Sequence, residues 1–311
     1  MRAVVVERRG DPGTLRDVPT PVAGNGELLV RIRAAGVNPI DWKARDAGYR
    51  EIPYVLGQDF AGVVDAVGTG VTAFSRGDRV AGIARVHGTF ADFTTTRVDE
   101  PHQPVAPIPS GVSDVVAAAL PTAGLTALSC VERLEVGTGQ TFFIVGVTGT
   151  VGRVAAQIAR SRGARVAGSG SAAGGETVKA LGLDAFVVFD REDVVAAARA
   201  RYPAGVDVLL DLADDAAGLR KMAAIVRDGG RIGTTVHSAD GFVSERGITA
   251  TDIDLFGSPQ DSRDGLDRLL AMVADGTVKV KIAAERPLDQ AVEALATQKS
   301  GKLNGKIVLT V

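Results

Sequence analysis

A single cysteine, Cys130, stands among 311 residues, so no intramolecular disulfide can form and a metal site built on several thiolates is excluded. Histidine is nearly as scarce: His87, His102 and His237 show no ligand spacing and read as loop or surface residues. An excess of one charge is also missing. Thirty-five Lys and Arg face 37 Asp and Glu, which leaves no basic footprint for nucleic acid. Long apolar runs are absent as well. The most apolar stretch, Val115–Val131, is broken by Pro121, Gly124 and several hydroxyls, so no membrane span is expected. At the start, Val4, Val5 and Val6 run straight into Glu7, Arg8 and Arg9, too short and too soon charged for a signal peptide. A cytoplasmic globular protein of about two domains is the expectation.

What is present divides the chain into three zones. From Met1 to Pro121, short Val/Ile-rich runs are punctuated by Gly and Pro: Ala3–Val6, Leu28–Ala34, Phe60–Val67, Arg79–Ile83 and Phe90–Thr96. That spacing predicts an antiparallel, partly barrel-like β domain over residues 1–121. Over residues 122–257 the period changes. Gln140–Val145 is an apolar run, and Val151, Val154, Ala155 and Ile158 follow at helical spacing. Further strands are predicted at Arg165–Ala167, Phe186–Phe189, Val206–Leu210 and Arg231–Thr235, with helices at Val194–Arg201 and Ala216–Val226. Alternation of this kind implies a doubly wound parallel sheet, so the fold class is α/β with a separate β-rich domain. In residues 258–311, Leu266, Leu269, Leu270 and Val273 form one helical stripe and Leu288, Val292 and Leu295 another, before a closing strand at Lys306–Val311. Such a piece cannot form a core alone and is expected to pack back onto the first domain.

The turn Gly146-Val-Thr-Gly149-Thr-Val-Gly152 follows a strand and opens a helix. Glycines let the backbone turn tightly and let a pyrophosphate approach, while the helix-opening amides of Thr150 and Val151 bind the anion. About twenty residues on, where NAD binders place an acid for the ribose 2′-hydroxyl, the chain reads Gly168-Ser169-Gly170-Ser171, and the first acid is Glu176. A carboxylate would repel a 2′-phosphate, whereas Ser169 and Ser171 can donate to it. The coenzyme expected is therefore NADPH, with NADH still open.

Five further runs carry a family resemblance: Ala34-Ala-Gly-Val-Asn38-Pro-Ile-Asp41-Trp-Lys, Gly57-Gln-Asp59-Phe-Ala-Gly62, Gly77-Asp-Arg-Val80, Leu120-Pro-Thr-Ala-Gly-Leu-Thr126-Ala and Gly305-Lys-Ile-Val-Leu309. In this order they resemble the zinc-free, zeta-crystallin-like quinone oxidoreductases of the medium-chain dehydrogenase/reductase superfamily, nearly end to end. The resemblance implies a GroES-like catalytic domain, an inserted Rossmann domain and a C-terminal return. It places Asn38 and Thr126 near the nicotinamide. It implies no catalytic zinc, because Asn38 stands where alcohol-dehydrogenase relatives place cysteine and Gln58 where they place histidine. Gly174 and Phe189 depart from it, standing where such reductases often carry a lysine and a tyrosine against the 2′-phosphate.

Three functions follow from this reading. The first is an NADPH-dependent, zinc-independent reductase passing hydride to a quinone or an α,β-unsaturated carbonyl. The second is a pathway-dedicated enoyl reductase in which Tyr49, placed by resemblance, donates a proton. The third is a nucleotide-binding crystallin-like protein with little turnover. Asp41 is read either as a helix cap or as an active-site group. The resemblance also implies a homodimer paired through a strand in the Ile248–Phe256 region, with a small quinone or enone as the other partner.

Overall fold

The computed structural model describes residues 1–301 and 303–311; the side chains of Glu176 and Thr177 also lie outside the described set. The chain opens with β1 (Arg2–Val6), β2 (Thr14–Asp17), β3 (Glu27–Gly36), α1 (Pro39–Ala47), β4 (Tyr54–Val55), β5 (Asp59–Val67), β6 (Arg79–Ile83), β7 (Phe93–Arg97) and β8 (Val105–Pro107). Helices α2 (Asp114–Ala118) and α3 (Pro121–Arg133) lead to the alternating part. That part runs β9 (Thr141–Val145), α4 (Thr150–Ser161), β10 (Arg165–Gly170), α5 (Gly175–Val178), β11 (Ala185–Val188), α6 (Val194–Arg201) and β12 (Val206–Asp211). It continues with α7 (Ala216–Met222), β13 (Val226–Thr234) and β14 (Thr249–Asp252). The tail is α8 (Arg263–Ala274), β15 (Ile282–Pro287), α9 (Ala291–Lys299) and β16 (Lys306–Thr310).

Two compact units result. Unit 1 comprises Met1–Leu125, Pro259–Gly276 and Val280–Val311; unit 2 comprises Thr126–Ser258 and Thr277–Lys279. In unit 1, β2-β1-β4 form a small sheet, while β15-β16-β3-β5-β6-β8 form a larger one that β7 joins through β3. The last strand is tied to the third: β16 lies antiparallel to β3, with Val308 opposite Gly36 and Leu309 opposite Ala35. Gly36 has no room for a side chain, because a Cβ there would sit 2.3 Å from the Ala118 carbonyl oxygen. Phe60, Phe90, Leu28 and Ile32 fill the core, joined by Leu288, Leu295 and Leu309 from the tail.

Unit 2 is the parallel sheet β11-β10-β9-β12-β13-β14, which in its own strand count is the 3-2-1-4-5-6 order of dinucleotide-binding domains. Val154, Ala155 and Ile158 of α4 are buried as their spacing predicts. One sequence expectation is corrected here. The helix read as Ala216–Val226 is α-helical to Met222 and continues as a 3-10 turn to Ile225, and the following strand starts at Val226 rather than Arg231. Val226 is fully buried and pairs with Val206 in the sheet, so burial against the neighbouring strand overrides the local helical pattern. Strand β14 closes one edge of the sheet. Among the described residues no helix is long and apolar enough to cross a membrane.

Candidate active site

In unit 1 the loop between β3 and α1 sets the first group. Pro39 begins the helix, Asn38 is its N-cap, and the Asp41 carboxylate turns back to accept the Asn38 backbone N–H at 2.7 Å. Of the two roles read for Asp41, the structure displays the cap. The same carboxyl also lines a small cavity with Ile40, Ala44, Arg50, Tyr54 and Gln58.

Beside the cap lies a buried polar network. The Asn38 side chain donates from Nδ2 to Asp59 Oδ2 at 2.9 Å and to the Gly36 carbonyl at 3.4 Å, and its Oδ1 accepts from Lys306 Nζ. Asp59, at the start of β5, also accepts from the Thr122 hydroxyl at 2.5 Å and the Thr122 amide at 3.1 Å. Gln58 Nε2 completes the chain by donating to Thr122 Oγ1 at 2.7 Å. Lys306 Nζ lies 3.8 Å from Asp59 Oδ2, and both side chains are almost wholly withdrawn from solvent. Burial pushes the Asp59 carboxyl up and the Lys306 ammonium down, each opposed by the other's charge.

Asp41 responds to the same surroundings. Burial, assisted by the Asp59 charge, raises its pKa from 3.8 to about 7, against the Asn38 N–H, Lys306 and Arg50, which lower it. A carboxyl with a higher pKa in the folded than in the unfolded chain binds more protons when folded. Stability contributed below the unfolded value is therefore lost as pH rises from about 4 through about 7, by up to about 4 kcal/mol. Asp41→Asn keeps an oxygen for the Asn38 N–H but cannot ionise. Urea unfolding at pH 5 and pH 8 should show a smaller drop in stability for this variant than for the wild type; parallel losses would refute the assignment.

The second group belongs to unit 2. Gly146 leaves β9 with φ +80°, and Gly152 packs so tightly that a Cβ would lie 2.6 Å from the Gly146 carbonyl oxygen. Helix α4 then begins with Gly149 as an N-cap that offers no side-chain bond. First-turn amides such as those of Thr150 and Val151 have no intrahelical acceptor. The turn lies where the strand order reverses, and it is linked to the end of β12 by the Leu212 amide donating to the Val145 carbonyl. Ligands bind at this point of an open α/β sheet. At the end of β12 Asp211 is buried, and burial, with the Asp214 carboxylate beside it, holds its pKa up at about 6. Its Oδ1 accepts the amides of Ala213 and Asp214, closing the turn that follows β12.

These features fit a dinucleotide pyrophosphate at the turn and a separate polar pocket in unit 1. The alcohol dehydrogenase GroES-like domain family matches residues 24–109, and the zinc-binding dehydrogenase family matches residues 181–309. Quinone oxidoreductase of Rattus norvegicus is 30% identical over 330 aligned positions, covering 99% of this chain and 97% of the rat protein. The chain belongs to the quinone oxidoreductases of the medium-chain dehydrogenase/reductase superfamily. Among solved relatives, the quinone oxidoreductase of Coxiella burnetii superposes with a TM-score of 0.88 at 29% identity, covering 100% of this chain and 99% of that one. A mycobacterial structure complexed with NADPH reaches 0.87 at 28% identity, with all of both chains covered.

Against that family background the sequence-derived residues separate. Gly146, Gly149, Thr150, Val151 and Gly152 come together in one turn. Ser169 is 1% exposed inside the sheet, whereas Ser171 follows β10 and is half-buried. Thr126 is half-buried in α3. Asn38 has both amide hydrogens engaged within unit 1. Tyr49 stands 81% exposed, just beyond the Gly48 cap of α1, and is not in the cavity wall. Trp42 packs towards α9, donating to Gln298 Oε1 at 2.5 Å. Sequence reasoning missed Asp59, Thr122 and Lys306 as a set. All three sit inside the family-like runs, and Lys306 was the one cation at the head of an otherwise apolar strand.

Proposed function

We propose that the protein is an NADPH-dependent oxidoreductase that reduces a quinone or the carbon–carbon double bond of an enone without zinc. The observation that carries this reading is the uncapped start of α4 behind Gly146–Gly152, in a chain that aligns over its full length with a relative solved with NADPH. When bound, NADPH supplies the hydride. The amides of Thr150 and Val151 take its pyrophosphate, and Ser171 faces the 2′-phosphate. Asn38 and Gln58 support the zinc-free part, since amides are poor zinc ligands and both are already committed to Asp59 and Thr122. The small unit 1 cavity takes one polar end of the acceptor, with Asp41 and Tyr54 in its wall.

In the alternative enoyl reductase reading Tyr49 is the proton donor, from a surface position outside the cavity wall; a quinone needs no such donor, because its product takes protons from water. NADPH oxidation by the purified protein with a naphthoquinone and with a simple enone tests this directly. Turnover faster with NADPH than with NADH is expected. Tyr49→Phe should leave the quinone rate in place and slow the enone rate by roughly 10²–10⁴. Nucleotide binding without turnover of any acceptor would overturn the reading.

A further inference from the structure

The unit 1 cavity holds one group that the network beside it does not use. Arg50 reaches into the wall formed by Asp41, Tyr54 and Gln58, in a space of about 40 Å³. Its Nη1 donates to the Val55 carbonyl at 3.2 Å, and its guanidinium carbon lies 5.3 Å from the centre of the Tyr54 ring. These two contacts restrain the group. No carboxylate stands within ion-pair distance of Arg50 among the described residues, although the side chain is largely screened from water. The Asp41 charge acts on Arg50 from beyond ion-pair distance, so that charge and the Tyr54 ring offset only part of the cost of desolvating the guanidinium.

We propose that Arg50 is the specificity-determining residue of the acceptor end, and that it pairs with a carboxylate carried by the acceptor, so that acidic enones or quinones are the preferred substrates. The inference rests on the proposed reductase function and narrows it to a substrate class. The space has room for about three water-sized groups, which matches a carboxylate and excludes a ring. A guanidinium offers a planar fork that meets a carboxylate with two parallel bonds, and a fork already held by Val55 and Tyr54 loses little freedom on binding. Asp41 shares the wall and would ordinarily repel an anion. Its pKa of about 7, the outcome of burial and Asp59 acting against Lys306 and Arg50, leaves it neutral in a large fraction of molecules near neutral pH.

The test uses a matched pair, 4-oxopent-2-enoic acid and its methyl ester, as acceptors for NADPH oxidation. In the wild type the KM for the acid should lie at least tenfold below that for the ester. Arg50→Met should shrink the acid-to-ester ratio of kcat/KM at least tenfold, and Arg50→Lys should fall between. Because the ratio is compared across variants, the different intrinsic reactivities of acid and ester cancel. An equal loss for both acceptors in Arg50→Met, or a wild type with no lower KM for the acid, would overturn the inference. Should Arg50→Met fail to bind NADPH or to fold, the wild-type KM pair decides alone. Failure of the parent reading looks different: the wild type would then oxidise no NADPH with the acid, the ester or a neutral naphthoquinone.

Discussion

Lys306→Met is expected to lower the unfolding stability of the protein by about 3–5 kcal/mol at neutral pH, read from urea denaturation. Asp59 is fully buried, and Lys306, 3% exposed, is the cation beside it at 3.8 Å. Methionine fills much of the same volume, so the loss measured is electrical rather than steric. The variant leaves a buried carboxylate with hydrogen bonds from Asn38 and Thr122 and no positive charge. It also removes the donor that holds Asn38 Oδ1, which frees the amide to turn. The double variant Lys306→Met, Asp59→Asn removes both charges and should recover part of the loss, a coupling that independent sites would not show. A cost below about 1 kcal/mol for Lys306→Met would mean that Thr122 and Asn38 satisfy Asp59 unaided.

Gly152→Val should weaken NADPH binding on the order of 100-fold, about 2.7 kcal/mol, in a fluorescence titration. The first carbon of any side chain at this position would meet the Gly146 carbonyl oxygen at 2.6 Å and Val147 Cα at 2.7 Å. Both are backbone atoms, so relief requires the turn and the first turn of α4 to separate, and the amides proposed to bind the pyrophosphate separate with them. Gly137 provides the contrast within the same unit. A Cβ there meets nothing within 4 Å, and Gly137→Ala should bind NADPH as the wild type does. Unchanged affinity in Gly152→Val would dissociate the turn from coenzyme binding.

The local and periodic features were legible in the chain. The apolar run at β9, the helical spacing of Val154, Ala155 and Ile158, and the glycines between them encode strand, turn and helix through short-range sterics and burial. The β-rich first zone and the alternating second zone could be read the same way, because each strand and helix announces its buried face within a few residues. The end of α7 could not. Helical turns persist to Ile225, and only the neighbouring strand at Val206 makes extension at Val226 the better arrangement.

Charged residues divide along the same line. Asp41 declared itself a cap candidate because a cap is a three-residue event. Nothing near residue 306 says that its ammonium meets Asn38, 268 positions away, or that Asp59 and Thr122 stand beside them. Nothing in the residues around Arg50 sets it apart from the other arginines; the fold sets it over Tyr54 and beside Asp41. By itself the sequence determined the fold class and the glycine turn between β9 and α4, since these depend on residue type at fixed short spacing. Only the tertiary structure decided which buried charges face one another, because Coulomb and desolvation energies depend on distance and solvent exclusion, and neither is encoded in separation along the chain.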